Sequence, residues 1–422
     1  MATIPSTPTS PAESVARGFK GNRWWILSLL FFATTINYLD RAILGVLLPE
    51  IRKDLNFSQE AYGNIQFWFQ FAYGIGSLIG GKLLDRYGTR IGYGMAALLW
   101  SVAGTLHAFA SSVMHFSVLR MALGLGEAPN FPACNKSIAE WFPPSQRAMA
   151  MGVANFGTNL ANIIGPGLFI WIATTWNWQA CFAAMGLLGF VWVPVWLLTT
   201  KVPGHVETTP KGSGLAIQAV LKYKQAWGYA LAKGLTDPVW WFYLFWLPTY
   251  LTDFRGMNPG ERASALTIVY AISGAGSLAG GAASSFLMRQ GWDVGRARKT
   301  TMAACAVIMP FSALGMVVEN TQLAVLLFGL GTAAHQAWMS NLFTLPGDVF
   351  PKQAVGSVNG FGVFMGAMGG ALFSGLIPGR LLPVLGYAPI LIGMSCFYLI
   401  AWVLVHKLLG NLETVQLRER RA

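Results

Sequence analysis

Residues 74–81 read GIGSLIGG, and residues 274–281 read GAGSLAGG. Six of the eight positions match at an offset of 200 residues. A weaker echo pairs WFPPSQRA (141–148) with VFPKQAVG (349–356). Glycine-rich helices resemble one another by chance, so neither echo alone proves a duplication. Equal spacing about a central loop makes duplication the better reading. That loop is residues 200–237, the longest hydrophilic stretch, Lys-rich and broken by Pro203, Gly204, Pro210, Gly212 and Gly214. It parts an amino-terminal half, 21–199, from a carboxy-terminal half, 238–407, with tails at 1–20 and 408–422.

The 422 residues are 54% hydrophobic and only 11% charged, against about 25% charged in an ordinary soluble domain. Apolar stretches of roughly 20 residues, each long enough to cross a hydrocarbon core as a helix, recur throughout. A soluble helical protein would need helices with one polar face, and those are absent. The reading is an all-α polytopic membrane protein embedded in a lipid bilayer. Its twelve spans fall at about 24–48, 61–82, 91–110, 113–135, 148–172, 179–199, 238–254, 263–287, 300–318, 322–345, 355–378 and 385–406.

The net charge of +12 invites a nucleic-acid partner, but its distribution follows the positive-inside rule instead. With the amino terminus in the cytoplasm, 22 of the 29 Lys and Arg fall in the tails and inner loops. Five face outward (Arg52, Lys53, Arg255, Arg262 and Arg380), while Arg41 and Arg120 lie within spans. Both termini are therefore expected in the cytoplasm. Residues 1–20, rich in Ser, Thr and Pro, are expected to be disordered, and no cleavage site follows the first apolar run. Cys134, Cys181, Cys305 and Cys396 stand singly, without metal or redox spacing, and read as small core residues.

Few ionisable residues fall inside spans away from the helix ends, and each is a functional hypothesis by default. NYLDR (37–41) puts Asn37, Asp40 and Arg41 at i, i+3 and i+4, so they share a helical face. In span four, Arg120 and Glu127 also share a face, roughly 10.5 Å apart along the axis. Gly124, Gly126, Pro129 and Pro132 predict a kinked, closely approached helix, a form tolerated where it lines a cavity. One acid and one base on each of two helices is the pattern expected of proton-coupled anion uptake. Arg41 and Arg120 can each hold a carboxylate, while Asp40 and Glu127 can carry a proton. The plain alternative is two fixed ion pairs, Asp40–Arg41 and Arg120–Glu127, that hold the helices in place.

The second half offers uncharged polar side chains. HQAWMSN places His335, Gln336, Trp338, Ser340 and Asn341 in span ten, and Asn359 lies in span eleven. Amides and hydroxyls suit sugar hydroxyls, and an indole can pack on a ring, but each can equally tie helices together. Tyr38 and Tyr73, beside the charged residues, are further candidates for contact with a small organic anion. No GxxxxGK[ST] loop for ATP and no HExxH or GxSxG site occurs, so an ATP-driven pump and an enzyme are set aside. Neither a metal nor an organic cofactor is expected.

The loop after span two reads GGKLLDRYGTR (80–90). It resembles the signature G-x-x-x-D-R-x-G-x-R/K of the major facilitator superfamily, with Gly81, Asp85, Arg86, Gly88 and Arg90 in place. Gly81 would allow close helix contact, and Asp85 with the basic residues would form a cytoplasmic charge latch between helices. The second-half copy, GGAASSFLMRQGWDVGRARK, lacks the Asp-Arg pair and with it the basis for a latch.

Further segments are similar to the anion:cation symporter family, and within it to bacterial hexuronate and other sugar-acid transporters. They are NYLDR (37–41), FAYGIGSL (71–78), LRMALGLGEAPNFPAC (119–134), WFPPSQRAMAMG (141–152) and HQAWMSNLFTLPGDVFPKQAVGS (335–357), spread over both halves. The resemblance implies the superfamily fold, twelve transmembrane helices in two six-helix bundles that rock about a midplane site. It implies that Asp40 and Glu127 are proton sites and that Arg41, Tyr73 and Arg120 contact substrate. The implied activity is symport of a sugar acid with protons, by a monomer in the bacterial inner membrane. A hexuronate such as galacturonate or glucuronate is foremost, with an aldonate, an aldarate or an aromatic carboxylate as the alternative. In span five, Gly152, Gly165 and Pro166 fit the antiporter signature but Ala161 does not, which tilts weakly towards symport.

Overall fold

Apolar runs in a bilayer must satisfy their backbone groups internally, and these do so as helices. The structure, a computed structural model, describes residues 22–200, 217–413 and 415, and no strand occurs among them. The expected tail 1–20, much of the central loop and most of the carboxy-terminal tail lie outside the described residues.

Span one is Asn22–Val46, continued by the short helix Leu48–Leu55. Spans two and three form one helical run, Gln59–Leu106, which turns at Gly88. The φ of Gly88 is +74°, a backbone that glycine adopts without a Cβ clash. Span four is Val113–Glu127 followed by Asn130–Trp141, broken at Ala128–Pro129 where the glycines and prolines predict a kink. Pro144–Thr175 and Trp178–Thr199 complete the first half. The second half consists of Lys224–Asp253, Pro259–Arg289, Val294–Ser312 and Thr321–Leu342, then spans eleven and twelve. Span eleven runs Lys352–Gly370, passes a π-helical turn at Ala371–Leu376 and ends as Ile377–Leu385. Span twelve is Tyr387–Ser395 with Phe397–Leu409.

Seven of the described helices are long and apolar enough to cross a membrane taken alone. The run of spans two and three and spans four, seven and ten are not among them, and all of these carry polar groups in their interiors. The place of these five in a bilayer rests on burial against neighbours rather than on their own apolarity.

Two expectations about the helices change. Span seven begins at Lys224, well before 238, so the last part of the expected central loop is helix. Lys233 and Asp237 lower the hydropathy there, but they neutralise each other one turn apart, at 2.8 Å. Among the cysteines, Cys134, Cys181 and Cys305 are buried as expected, whereas Cys396 is exposed.

The glycine repeat performs the same packing task in both halves. A Cβ at Gly76 would stand 2.8 Å from that of Ala128, and one at Gly80 would stand 3.1 Å from Pro129, both at the break of span four. In the second half, a Cβ at Gly276 or Gly280 would meet Ala333 or Ala337 of span ten at 2.4 Å. Gly81, expected to make the close contact, has open space around it, and Gly80 makes that contact instead. A Cβ at 81 would point away because 80 and 81 lie about 100° apart on the helix.

The halves meet most firmly at the end opposite the termini, here called the far face. Three ion pairs cross between halves there: Arg52–Asp253 at 2.9 Å, Arg380–Glu60 at 3.6 Å, and Arg262 with Glu50. The Tyr62 hydroxyl donates to the Phe245 carbonyl at 3.0 Å, and spans two and eleven touch through Gly63, Gly375 and Gly379. At the termini face, Asp85–Lys136 and Arg298–Asp348 each stay within one half, and no ion pair crosses there among the described residues.

Candidate functional site

Just below the sealed far face lies the polar centre of the protein. Arg41 of span one reaches Glu127 of span four, with Nε and Nη2 at 2.9 Å and 2.8 Å from the same oxygen, Oε2. Arg41 is 1% exposed and Glu127 is fully buried. The guanidinium is walled by rings, with Tyr38 and Tyr73 at 4.7 Å, Trp241 at 5.0 Å and Phe69 at 5.4 Å. Such faces hold a cation by their quadrupole without consuming its N–H donors. Asn37 accepts a long bond from Arg41 Nη2 at 3.4 Å.

This pairing differs from both pairs expected. Arg120 does not bond Glu127; its Nη1 donates to the Arg41 carbonyl at 3.3 Å. Asp40 does not bond Arg41 either. It turns to span three, where its Oδ1 lies 3.5 Å from the place a Cβ on Gly104 would take. A single residue step turns the side-chain direction by about 100°, so the adjacent Asp40 and Arg41 cannot both face span four.

The centre also holds many unused bonding groups. Arg41 Nη1, Arg120 Nε and Nη2, Glu127 Oε1, Asn37 Nδ2 and both oxygens of Asp40 are buried without a hydrogen-bond partner. Buried polar groups are ordinarily paired, because an unpaired one forfeits its hydration. A concentration of orphans around two guanidinium groups is what a site for a polar anion requires. Gln70 of span two, which the reading of the sequence passed over, joins this list with both amide atoms unpaired, beside Gly370 of span eleven. The signal available was its place one turn before Tyr73.

The second half behaves otherwise. His335 stacks on Trp240 at 5.3 Å, and its Nδ1 lies 2.5 Å from the Tyr398 hydroxyl. Trp338 is fully buried, edge-on to Tyr398. Ser340 donates to the carbonyls of Ser277 and Gln336, both at 2.9 Å. Asn341 donates to those of Gly280 and Ala337, both at 3.1 Å. Asn359 accepts from the Tyr229 hydroxyl at 3.0 Å, and Gln336 is half-buried. Of the residues expected to meet sugar hydroxyls, His335, Ser340 and Asn341 thus bond inside their own half, while Trp338 Nε1 and Asn341 Oδ1 are buried without a partner. For Ser340 and Asn341 the cause is the close approach of spans eight and ten, which brings backbone carbonyls within their reach, whereas His335 and Trp338 meet side chains of spans seven and twelve.

A buried pair missing from the sequence reading stands on span seven. Lys233 Nζ lies 2.8 Å from Asp237 Oδ2 and 4.5 Å above the Phe343 ring, with Lys233 only 3% exposed. Asp237 Oδ1 is buried and unpaired. The i,i+4 spacing is legible in the sequence, but both charges fall within its expected central loop, 200–237.

In the signature loop, Asp85 pairs with Lys136 at 2.8 Å, and Arg90 donates to the Leu197 carbonyl through Nε at 2.8 Å and Nη2 at 2.5 Å. Arg86 lies over the Tyr87 ring at 5.4 Å, outside these ties. The second half does possess a latch: Arg298 meets Asp348 at 2.9 Å and bonds Thr344. Arg298 follows Arg90 by 208 residues rather than 200, so a longer loop carries the latch residue. Burial raises the Asp348 carboxyl above the ordinary range, and Arg298 opposes that rise. Among the described residues, no group of three or more His, Cys, Asp or Glu is placed to hold a metal.

The family model described as the Major Facilitator Superfamily matches residues 30–374. The chain is 29% identical to the hexuronate transporter of Escherichia coli (strain K12) over 424 residues, covering 96% of this chain and 98% of that one. It is 30% identical over 370 residues to the hexuronate transporter of Bacillus subtilis (strain 168), covering 84% and 87%. Among solved structures, a bacterial homolog of the human lysosomal transporter Spinster, inward-facing and unoccupied, superposes with a TM-score of 0.74. At 18% identity, over 93% of this chain and 98% of that one, the likeness establishes the fold.

Proposed function

Since the chain belongs to the major facilitator superfamily, we propose that it is a secondary transporter that takes up a sugar acid together with protons. The foremost substrate is a hexuronate such as galacturonate or glucuronate. Both termini lie in the cytoplasm of a bacterial cell, and the monomer works by alternating access across the inner membrane. The hexuronate transporters similar over most of their length support the substrate class.

One observation carries the coupling: the guanidinium of Arg41 already holds a carboxylate, that of Glu127. An arriving substrate carboxylate competes for the same N–H donors, since a guanidinium binds carboxylates in a fixed fork. Arg41 Nη1 and the free donors of Arg120 supply the added bonds. Glu127, released in a water-poor interior, is then stable as the neutral acid and takes a proton. Asp40, against span three and within electrostatic reach of Glu127 and Arg120, is the second proton site. Binding of anion and proton thereby favour each other, and linkage makes the favour mutual. Far-face ion pairs close the outside in the captured state, so substrate exchanges with the termini face.

Uptake of labelled galacturonate and glucuronate into proteoliposomes, with and without an inward proton gradient, tests the reading. Accumulation above equilibrium only with the gradient is expected. Glu127→Gln should lose accumulation while retaining exchange of substrate for substrate. Preference for neutral sugars over acids would overturn the anion reading, and normal accumulation by the variant would remove Glu127 as coupling acid.

A further inference from the structure

The pair Lys233–Asp237 has no part in the chemistry described so far. It lies inside a span, where ionisable side chains are expensive. As an i,i+4 pair on one helix it cannot tie two helices together, and such pairs add little stability even when exposed. Two apolar residues would serve packing better, because a buried ion pair rarely outperforms a hydrophobic replacement. Its neighbours nevertheless make room for it. A Cβ at Gly366 of span eleven would stand 2.1 Å from Asp237 Oδ2, and one at Gly362 would stand 3.0 Å from the Lys233 stem.

Its depth follows from the internal repeat. At the 200-residue offset, Arg41 matches Trp241 and Asn37 matches Asp237. Residues close to a twofold axis meet their own equivalents, and two such meetings occur. The Arg41 guanidinium lies 5.0 Å from the Trp241 ring, and a Cβ on Gly45 would sit 2.7 Å from the Leu244 carbonyl oxygen and 3.4 Å from the Cα of Phe245. The offset therefore holds to within one residue for spans one and seven, and the repeat places Asn37 and Asp237 within about 1.5 Å of one depth on opposite walls. Asp237 is one helical turn from Trp241, roughly 6 Å along the axis towards the termini face. Tyr38, whose ring covers Arg41, lies within electrostatic reach of Asp237. On one wall Asn37 accepts from Arg41. On the other, Asp237 accepts from Lys233 and keeps Oδ1 unpaired.

We infer that Asp237, held and neutralised by Lys233, is the specificity-determining residue of the carboxy-terminal wall, where its free oxygen accepts hydrogen bonds from hydroxyl groups of the substrate whose carboxylate Arg41 holds. This rests on the sugar-acid reading. Arg41 recognises the charge common to all carboxylates, and Asp237 recognises the hydroxyls that set a sugar acid apart. An unpaired buried acceptor discriminates well, because an analogue lacking the hydroxyl leaves it unsatisfied. Lys233 adds donors for a ring or carbonyl oxygen. The dyad is net neutral, so it does not repel an anion.

The test compares binding of D-glucuronate with that of hexanoate, which has the same carbon count and no hydroxyls, by tryptophan fluorescence of the purified full-length protein. Two variants are used. Lys233→Gln with Asp237→Asn keeps a hydrogen-bonded neutral pair, and Gly366→Ala presses a methyl against the Asp237 carboxylate. The unaltered protein should prefer glucuronate. In each variant that retains the parent's melting profile, glucuronate binding should weaken by about tenfold or more, the scale of one hydrogen bond to a charged group, with hexanoate unchanged. Equal weakening of both ligands would make the pair structural and overturn the inference, as would unchanged discrimination. If the unaltered protein bound no hexuronate at all, the sugar-acid reading would fall, and this one with it. Failure in the variants alone leaves that reading intact.

Discussion

The two halves share one plan and carry opposite chemistry at matching positions. In the first, Arg41 of span one grips Glu127 of span four. The residue 200 after Arg41 is Trp241, and the residue 208 after Glu127 is His335. The contact between spans seven and ten is a stack beside that position, His335 on Trp240 at 5.3 Å, one residue before Trp241. An ion pair across two helices can be broken by a competing charge and remade, so it couples binding to proton movement. A stack of neutral rings has nothing for an anion to displace, and it serves as a rigid wall. A duplicated scaffold can thus divide labour, with one half switching and the other holding shape.

The contrast breaks most severely at Arg41. Arg41→Ala strands Glu127 in an apolar interior, and removing one partner of a buried pair costs about 3–5 kcal/mol. Uptake of labelled glucuronate should fall by roughly a hundredfold or more. A loss of only a few-fold would mean that Arg120 can hold the anion alone.

Next comes the shared scaffold. Gly280→Val drives a side chain into Ala337, and overpacking of this kind costs about 1–3 kcal/mol. Its melting temperature should drop by several degrees, whereas Gly281→Ala, facing open space, should leave it unchanged. Equal drops would show that the helix register differs from that described.

On the neutral side, His335→Phe keeps the ring and deletes the bond to Tyr398, a loss of about 1 kcal/mol. Transport should stay within a few-fold of the parent and coupling to protons should persist. Uncoupling by this variant would give the second half a switching role and dissolve the contrast. The smallest effect belongs to the half-exposed pair at the far face. Arg52→Gln should change uptake by no more than about threefold and the change should vanish at high salt, as surface pairs do.

Much of the architecture was legible because the bilayer is a simple solvent. Apolar runs mark helices, the glycine repeat marks the duplication, and GGKLLDRYGTR marks a turn that Gly88 indeed makes. Where the reading failed, charge and hydropathy were treated as properties of a segment rather than of a packed environment. Lys233 and Asp237 looked like loop residues, since nothing in a hydropathy window records that they cancel each other. Gly81 looked like the packing glycine of its motif, yet its neighbour Gly80 faces span four.

The polar centre shows the division most clearly. Its membership was open to reading: Asn37, Tyr38, Asp40, Arg41, Tyr73, Arg120 and Glu127 stand out because ionisable and polar groups are scarce in spans. Its wiring was not. Spacing within a helix suggested Asp40 with Arg41 and Arg120 with Glu127, whereas the native pair joins Arg41 to Glu127 across 86 residues. That choice belongs to the rotation of span one against span four and to the break at Ala128–Pro129. Likewise, Ser340 and Asn341 were open to any partner until spans eight and ten closed to glycine distance and offered them carbonyls. Composition and spacing mark the residues that cannot remain in lipid unpaired. Their partners are a matter of packing, because helical periodicity sets the direction of a side chain and the neighbouring helices set what stands there.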